Sequence, residues 1–275
     1  MNLSRRAFLR SILWCCISLA PAGVLAQTSP EPFEPTVGQA GKDVVWVPTP
    51  PFLVETMLDM AQVKPQDFVI DLGSGDGRNV IAAAKRGARA RGVEYNADLV
   101  ELSRHAAVTA GVADKVVFVQ GDMYEADISE ATVLALYLLA ENLRKLVPKF
   151  LSLKAGTRIV INTFGIDGWK ADENDRGPGE CTSWCSARLY IVPAKVAGTW
   201  RLPHGELTLA QEFQMVSGTF TRGGESLPIE NGRLRGNQFH FTAGGVSYVA
   251  RVNGDAMDGT TTGIEKGTWI ARRSQ

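Results

Sequence analysis

Histidine and cysteine are scarce in this sequence: three histidines and four cysteines stand among 275 residues. His105, His204 and His240 are scattered and share no ligand spacing with one another or with a cysteine pair, so no metal centre is expected. Neither sign of charge prevails. The 29 basic and 29 acidic residues balance, which leaves no electrostatic footprint for a nucleic acid. Long apolar runs are also missing: the stretch Ile12 to Leu19 is too short to span a bilayer comfortably as a permanent helix. What remains is ordinary globular material, 45% hydrophobic and 21% charged. At 275 residues it suffices for one large or two modest domains.

Residues 1–26 differ from the rest. Arg5 and Arg6 precede the moderately apolar stretch, and Val24-Leu25-Ala26 offers a cleavage site, the pattern of a twin-arginine export signal. The expected location is periplasmic or otherwise exported. The alternative is an uncleaved N-terminus anchored in the inner membrane, with membrane contact confined to that segment; Trp14 in the run keeps this open. Removing Arg5, Arg6 and Arg10 leaves 26 basic residues against 29 acidic ones, a net charge of −3. Cys15 and Cys16 leave with the signal. Cys181 and Cys185 remain, four positions apart, a spacing compatible with a small disulfide clip in an oxidising compartment or with free thiols.

Residues 27–46 are rich in proline and threonine at their start and read as a linker or arm. Residues 47–193 alternate strand and helix. A helix follows Thr49-Pro50-Pro51, with Leu53, Met57 and Met60 on one face. Strands are expected at 68–71, 90–94, 116–119, 131–138, 157–163 and 188–192, and helices at 78–86, 97–110 and 140–151. The helix at 97–110 should turn Leu99, Leu102, Ala106 and Thr109 inward, and the one at 140–151 Leu143, Leu146, Val147 and Phe150. Gly165 to Ser186 reads as a polar connection. The order implies an α/β, doubly wound, mostly parallel Rossmann-like sheet with helices on both faces. Residues 196–275 change texture. Short alternating runs, including Glu212 to Val216, are punctuated by Gly223-Gly224, Asn231-Gly232, Gly244-Gly245 and Asn253-Gly254, which implies a small antiparallel all-β domain, sandwich or barrel. Its opening Gly198-Thr199-Trp200 faintly resembles the first strand of lipocalin-like barrels; a packing tryptophan near a strand start is the preferred explanation.

The chemistry concentrates in Val69-Ile70-Asp71-Leu72-Gly73-Ser74-Gly75-Asp76-Gly77. An apolar strand ends in an acid and opens into a loop with glycine at every second position, so backbone can approach a small ligand at the carboxyl end of a central strand. A dinucleotide fingerprint would place its third glycine where Arg78 stands. Asp76 within the loop would repel a pyrophosphate but attract a sulfonium or ammonium. Glu94 ends the second strand and can accept both hydroxyls of a ribose. Gly121-Asp122 ends the third strand at the same edge, where an acid can take an adenine amino group. The bland alternative is a simple turn, with Glu94 a solvated strand end.

These motifs resemble class I S-adenosylmethionine-dependent methyltransferases over about residues 47–192. A closer resemblance is to the protein-lysine methyltransferases typified by the mitochondrial enzymes acting on adenine nucleotide translocase and the ATP synthase c-subunit, with their bacterial relatives. It is carried by Val47-Pro48-Thr49-Pro50, by Asp71 through Arg78, by Gly92-Val93-Glu94-Tyr95-Asn96 and by Tyr137-Leu138-Leu139. The mitochondrial enzymes lack such an exported signal and such a β-rich C-terminal domain. The resemblance implies S-adenosyl-L-methionine as cofactor and protein-lysine N-methylation as activity. A small-molecule methyltransferase, or an exported binding module without turnover, are the alternatives. The expected cofactor residues are Asp71, Gly73, Gly75, Asp76, Glu94, Asp122 and Met123, with Thr49 closing over them. Tyr137 is the candidate catalytic residue, or equally a core aromatic. Phe164 and Trp169 are candidates for an acceptor-pocket wall, with packing the simpler role.

Overall fold

The structure, a computed structural model, describes residues 33–178, 183–264 and 266–274. The expected export signal and three of the four cysteines, Cys15, Cys16 and Cys181, lie outside the described residues; Cys185 is disulfide-bonded. No described helix is long and apolar enough to cross a membrane.

Helix α1 (Pro51–Met60) starts with Pro51 in its first turn, where the missing N–H costs nothing. The alternation then runs β1 (Phe68–Leu72), α2 (Arg78–Lys85), β2 (Arg89–Glu94), α3 (Ala97–Thr109), β3 (Val116–Gln120), β4 (Val133–Leu136), α4 (Ala140–Phe150) and β5 (Arg158–Asn162). Two further strands, β6 (Glu173–Asp175) and β7 (Ala187–Ile191), complete a seven-stranded sheet of order β3-β2-β1-β4-β5-β7-β6. β1 to β5 run parallel; β7 is antiparallel to both β5 and β6. Strands β1 and β4 are buried at every position, because helices cover both faces. Alternate residues feed two cores. Val69, Val133, Ala135 and Val160 pack against α1 to α3. Ile70, Leu134, Leu136 and Ile161 pack with Leu143, Leu146 and Phe150 of α4.

Local departures from the sequence reading have physical causes. In α3 the buried side chains are Leu99, Val100, Ser103 and Ala107; Leu102 and Ala106 are only partly covered and Thr109 is exposed. The inward face is rotated because Ser103 is drawn under the glycine loop, where its hydroxyl donates to the Gly75 carbonyl at 3.0 Å. The segment 165–186 is not merely polar connection: Ile166 and Trp169 are core residues and β6 lies within it. Residues 33–46 do not run free as a linker. Gly38 N–H donates to the Trp46 carbonyl and Trp46 N–H to Gln39, each at 2.9 Å, forming a strap beside the sheet.

Beyond β7 the chain forms β8 (Gly198–Leu202), β9 (Gly205–Glu212), β10 (Met215–Arg222), β11 (Glu225–Pro228), β12 (Glu230–Arg235), β13 (Gln238–Ala243), β14 (Val246–Asn253), β15 (Ala256–Gly263) and β16 (Gly267–Arg273). All pair antiparallel. β16 pairs with β8, and β9 with β10, so the sheet closes into a barrel. Its interior is filled with side chains, among them Trp200, Phe220, Phe239, Phe241, Tyr248 and Trp269. Trp200 is fully buried, donates to the Val196 carbonyl at 2.7 Å and carries the Arg273 guanidinium 4.2 Å above its ring. Two sequence expectations fail here. Phe213 and Gln214, expected inside a strand, form the turn between β9 and β10. Asn231-Gly232, expected as a turn, lies inside β12 at a register shift; a Cβ on Gly232 would stand 2.1 Å from the Val216 carbonyl, so glycine serves close strand approach there.

Candidate active site

Strand order places the site. From β1 the chain steps outward to β2 and β3 on one side and then crosses to β4 on the other, which opens a crevice beyond the carboxyl ends of the strands. Asp71 pairs with Gly92, and Glu94 with Gln120, so Asp71, Glu94 and Asp122 come to one edge. A cleft of about 870 Å³, its mouth included, lies there. All of the site residues expected from the sequence line it: Thr49, Asp71, Gly73, Gly75, Asp76, Glu94, Asp122, Met123 and Tyr137.

The glycine loop is built for close approach. Gly73, Gly75 and Gly77 all sit at positive φ. A Cβ on Gly75 would come within 2.8 Å of the Trp46 indole nitrogen, and one on Gly77 within 2.7 Å of the Phe118 ring. The loop is pinned by Gly73 and Ser74 N–H groups donating to the Val93 carbonyl at 2.8 and 3.0 Å. Glu94 is aimed by two backbone donors: Gly75 N–H reaches one oxygen at 2.9 Å and Asn96 N–H the other at 3.0 Å. Each oxygen keeps acceptor capacity for a ligand.

Asp71 is buried. One oxygen accepts from the Asn79 amide at 3.0 Å; the other, Oδ1, has no partner among the described residues, nor has the Ser74 hydroxyl. Burial, reinforced by the nearby Glu94 and Asp76 charges, pushes the Asp71 carboxyl well above the usual carboxylate range. Such a group is stabilised in its ionised form by a cation brought into the cleft. Asp76 differs from the expectation of a carboxylate free for the ligand. Arg78 Nε donates to it at 2.9 Å, and the same guanidinium reaches the Thr49 carbonyl at 2.6 Å. Its charge is therefore partly compensated, and Arg78 ties the loop to the strap. Thr49 is buried, and its hydroxyl accepts from the Asn162 amide at 3.3 Å.

Asp122 accepts from Tyr124 N–H at 2.8 Å and is ion-paired with Lys42 of the strap. The Lys42 bond and the Tyr124 N–H hold its carboxyl below the ordinary value. Lys42 in turn stands 5.0 Å above the Tyr95 ring. Lys42, Trp46 and Arg78 were missed in the sequence. The usable signal was the apolar run Val44-Val45-Trp46-Val47, which a free linker does not need.

A second cavity of about 430 Å³ abuts the first. The two share Val44, Val45, Val47 and Tyr137; the second is completed by Leu138, Leu139, Phe164 and Trp184. Phe164 stacks on Tyr137 with centroids 6.3 Å apart. Leu139 is 41% exposed and Trp184 56%, so the apolar channel opens to solvent. Trp169, the other candidate wall residue, is buried against Tyr190 and Phe213 and packs instead. Burial keeps the Tyr137 hydroxyl protonated above its ordinary value. It is therefore no general base near neutrality, but it can orient an amine by hydrogen bonding.

Comparison with known proteins agrees with this geometry. Residues 71–173 match the family model of the ANTKMT methyltransferase domain. A protein-lysine N-methyltransferase from Saccharolobus islandicus is 42% identical over 133 residues, 47% of this chain and 83% of that protein. The ATP synthase c-subunit lysine N-methyltransferase of Caenorhabditis elegans is 29% identical over 44% of this chain, which spans under two thirds of that relative, 64%. A crystal structure from Salinibacter ruber, described as an RNA methyltransferase in complex with S-adenosyl-L-homocysteine, is 44% identical and covers 55% of this chain and 96% of its own, with a TM-score of 0.51. Fold and site thus define a class I S-adenosylmethionine-dependent methyltransferase. Within that class the chain belongs to the family of the Saccharolobus protein-lysine N-methyltransferase.

The residues present fit the cofactor. Its ammonium and sulfonium suit the unpartnered Asp71 oxygen and the acidic cleft, and its ribose suits the two aimed oxygens of Glu94. When bound it supplies an already activated methyl group, so the chain's task is alignment and exclusion of water.

Proposed function

We propose that this protein N-methylates a lysine side chain of another protein. The observation that carries the reading is the apolar channel that meets the cofactor cleft at Tyr137. A lysine presents a long aliphatic stem ending in an amine, and a channel walled by valine, leucine, phenylalanine and tryptophan suits that stem. The same desolvation favours the neutral, nucleophilic amine. The names of the relatives from Saccharolobus and Caenorhabditis point the same way.

In this reading Glu94 holds the ribose, Asp122 and Met123 the adenine side, and Asp71 the ammonium of the cofactor. Gly73 and Gly75 admit it, while Thr49 and the Asp76–Arg78 pair fix the strap over it. Tyr137 orients the incoming amine. The protein works after export, a reading supported by the paired Arg5 and Arg6 ahead of an apolar stretch and by a disulfide at Cys185. Recovery of the protein in a periplasmic or membrane fraction supports export; recovery only in the cytoplasm overturns it.

The acceptor is tested by incubating purified protein with methyl-labelled cofactor and a cell-envelope extract. Label in protein, recovered as methyl-lysine after hydrolysis, is the expected result. Label confined to small molecules, label in RNA, or no transfer at all would each overturn the reading.

A further inference from the structure

We propose that the C-terminal barrel is a brace for the acceptor-side wall of the active site, with Arg233 and Phe213 as positioning residues. The two halves of the site differ in what supports them. Among the described residues, none that lines the cofactor cleft comes from beyond Tyr137. The channel, in contrast, takes Phe164 and Trp184 from the connection between β5 and β7. The barrel grips that connection, and Gly236 in its β12–β13 turn packs against Gly156 ahead of β5 as well.

The grip has several points. Asp172, just before β6, has a side chain only 1% exposed; it accepts from Arg233 of β12 at 2.8 Å and from Ile191 N–H at 2.9 Å. Glu173 pairs with Arg235 at 2.5 Å. Gln214, 1% exposed in the β9–β10 turn, donates to the Lys170 carbonyl at 2.5 Å. Phe213, at φ 49° in the same turn, stacks on Trp169 at 5.2 Å. A Cβ on Gly168 would stand 3.2 Å from the Phe213 ring, so the two surfaces are in close contact. A buried carboxylate is costly unless paired, so the Asp172–Arg233 contact fixes register and not merely proximity.

The grip is transmitted to the channel through the sheet. Asn174 of β6 pairs with Arg188 of β7, whose guanidinium donates to the Thr163 carbonyl at 2.9 Å. Thr163 N–H donates to the Ser186 carbonyl at 2.5 Å. Thr163 sits at φ 62°, a conformation that costs a β-branched residue energy and persists only where its surroundings enforce it. That turn delivers Phe164 onto Tyr137, and Ser186 lies two residues from Trp184. The family match ends at residue 173, ahead of the barrel's first strand at Gly198, so the brace is an addition of this chain to the matched core.

This inference rests on the channel being the acceptor route. Its test compares Arg233→Ala and Phe213→Ala with Arg233→Lys in the full chain, using three readouts. Hydrogen exchange over residues 163–175 should accelerate in both alanine variants and recover partly in Arg233→Lys, while exchange over residues 71–79 stays as in the parent. Affinity for S-adenosylhomocysteine should stay within about twofold. Methyl transfer to the labelled envelope acceptor should lose about tenfold or more in kcat/KM, the effect expected of a small misplacement at the reacting centre. Unchanged exchange over 163–175, equal loosening of 71–79 with weakened cofactor binding, or altered exchange with unchanged acceptor kinetics would overturn the brace. Absence of transfer in the parent protein would count against the lysine reading alone, since exchange and cofactor affinity still decide the brace.

Discussion

Asn79 donates its side-chain N–H to one oxygen of Asp71 at 3.0 Å and leaves the other buried with no partner among the described residues. A half-satisfied buried carboxylate at the edge of a cleft is costly without a cation, and a cation beside it offsets that cost.

Binding of S-adenosylmethionine should therefore depend on pH. Asp71 is held protonated to higher pH than an ordinary carboxyl by burial and by the Glu94 and Asp76 charges. A cationic ligand favours its ionised form, so binding releases a proton below the raised value. Affinity should rise with pH from the usual carboxylate range up to the raised value and then level off. Calorimetry in buffers of different ionisation enthalpy reads both the slope and the released proton. Asp71→Asn should weaken binding and flatten the profile.

Glu94→Ala should abolish measurable S-adenosylhomocysteine binding, a loss of more than about a hundredfold for two charge-assisted bonds. The circular dichroism spectrum should stay unchanged, because Glu94 contributes no core contact. Glu94→Gln, which keeps the acceptor on one side, should fall between. Unchanged affinity in the alanine variant would remove Glu94 from the cofactor site.

Trp46 lies over Gly75, and Lys42 over Asp122 and Tyr95, so the strap covers the cleft from outside. Trp46→Ala should raise the dissociation rate of S-adenosylhomocysteine about tenfold with little change in association, since loss of covering contacts acts mainly on release. Stopped-flow displacement measures both rates. Retention of cofactor by the strap is what the proposed export would require.

Tyr137→Phe removes the hydroxyl and keeps the ring that stacks on Phe164. The turnover rate should fall about tenfold, the worth of one neutral hydrogen bond, with S-adenosylhomocysteine affinity unchanged. The pH–rate profile should keep its shape, because the half-buried phenol is not the titrating base.

Much of this was readable from sequence where information is local. The loop from Asp71 to Gly77 announces itself because positive φ at short spacing demands glycine, and Glu94 and Asp122 follow at strand ends that periodicity locates. What escaped is non-local. The rotated face of α3 reflects Ser103 bonding the Gly75 carbonyl, a contact across 28 positions that helical periodicity does not encode. The Arg78 guanidinium joins Asp76 to the Thr49 carbonyl, a contact across 29 positions that the loop motif does not encode. In the barrel, Gly232 looked like a turn residue although its lack of a side chain serves strand contact. Phe213-Gln214 looked like strand because their apolar and amide character faces the catalytic domain instead of the barrel core.

The most direct measurement is a structure of the protein with S-adenosylhomocysteine bound. The ribose is expected on Glu94, the ammonium against the free oxygen of Asp71, and the sulfur facing Tyr137 and the channel toward Phe164 and Trp184. A ligand seated away from Glu94 and Asp71, or one whose sulfur faces away from Tyr137, would contradict the assignment of cofactor cleft and acceptor channel.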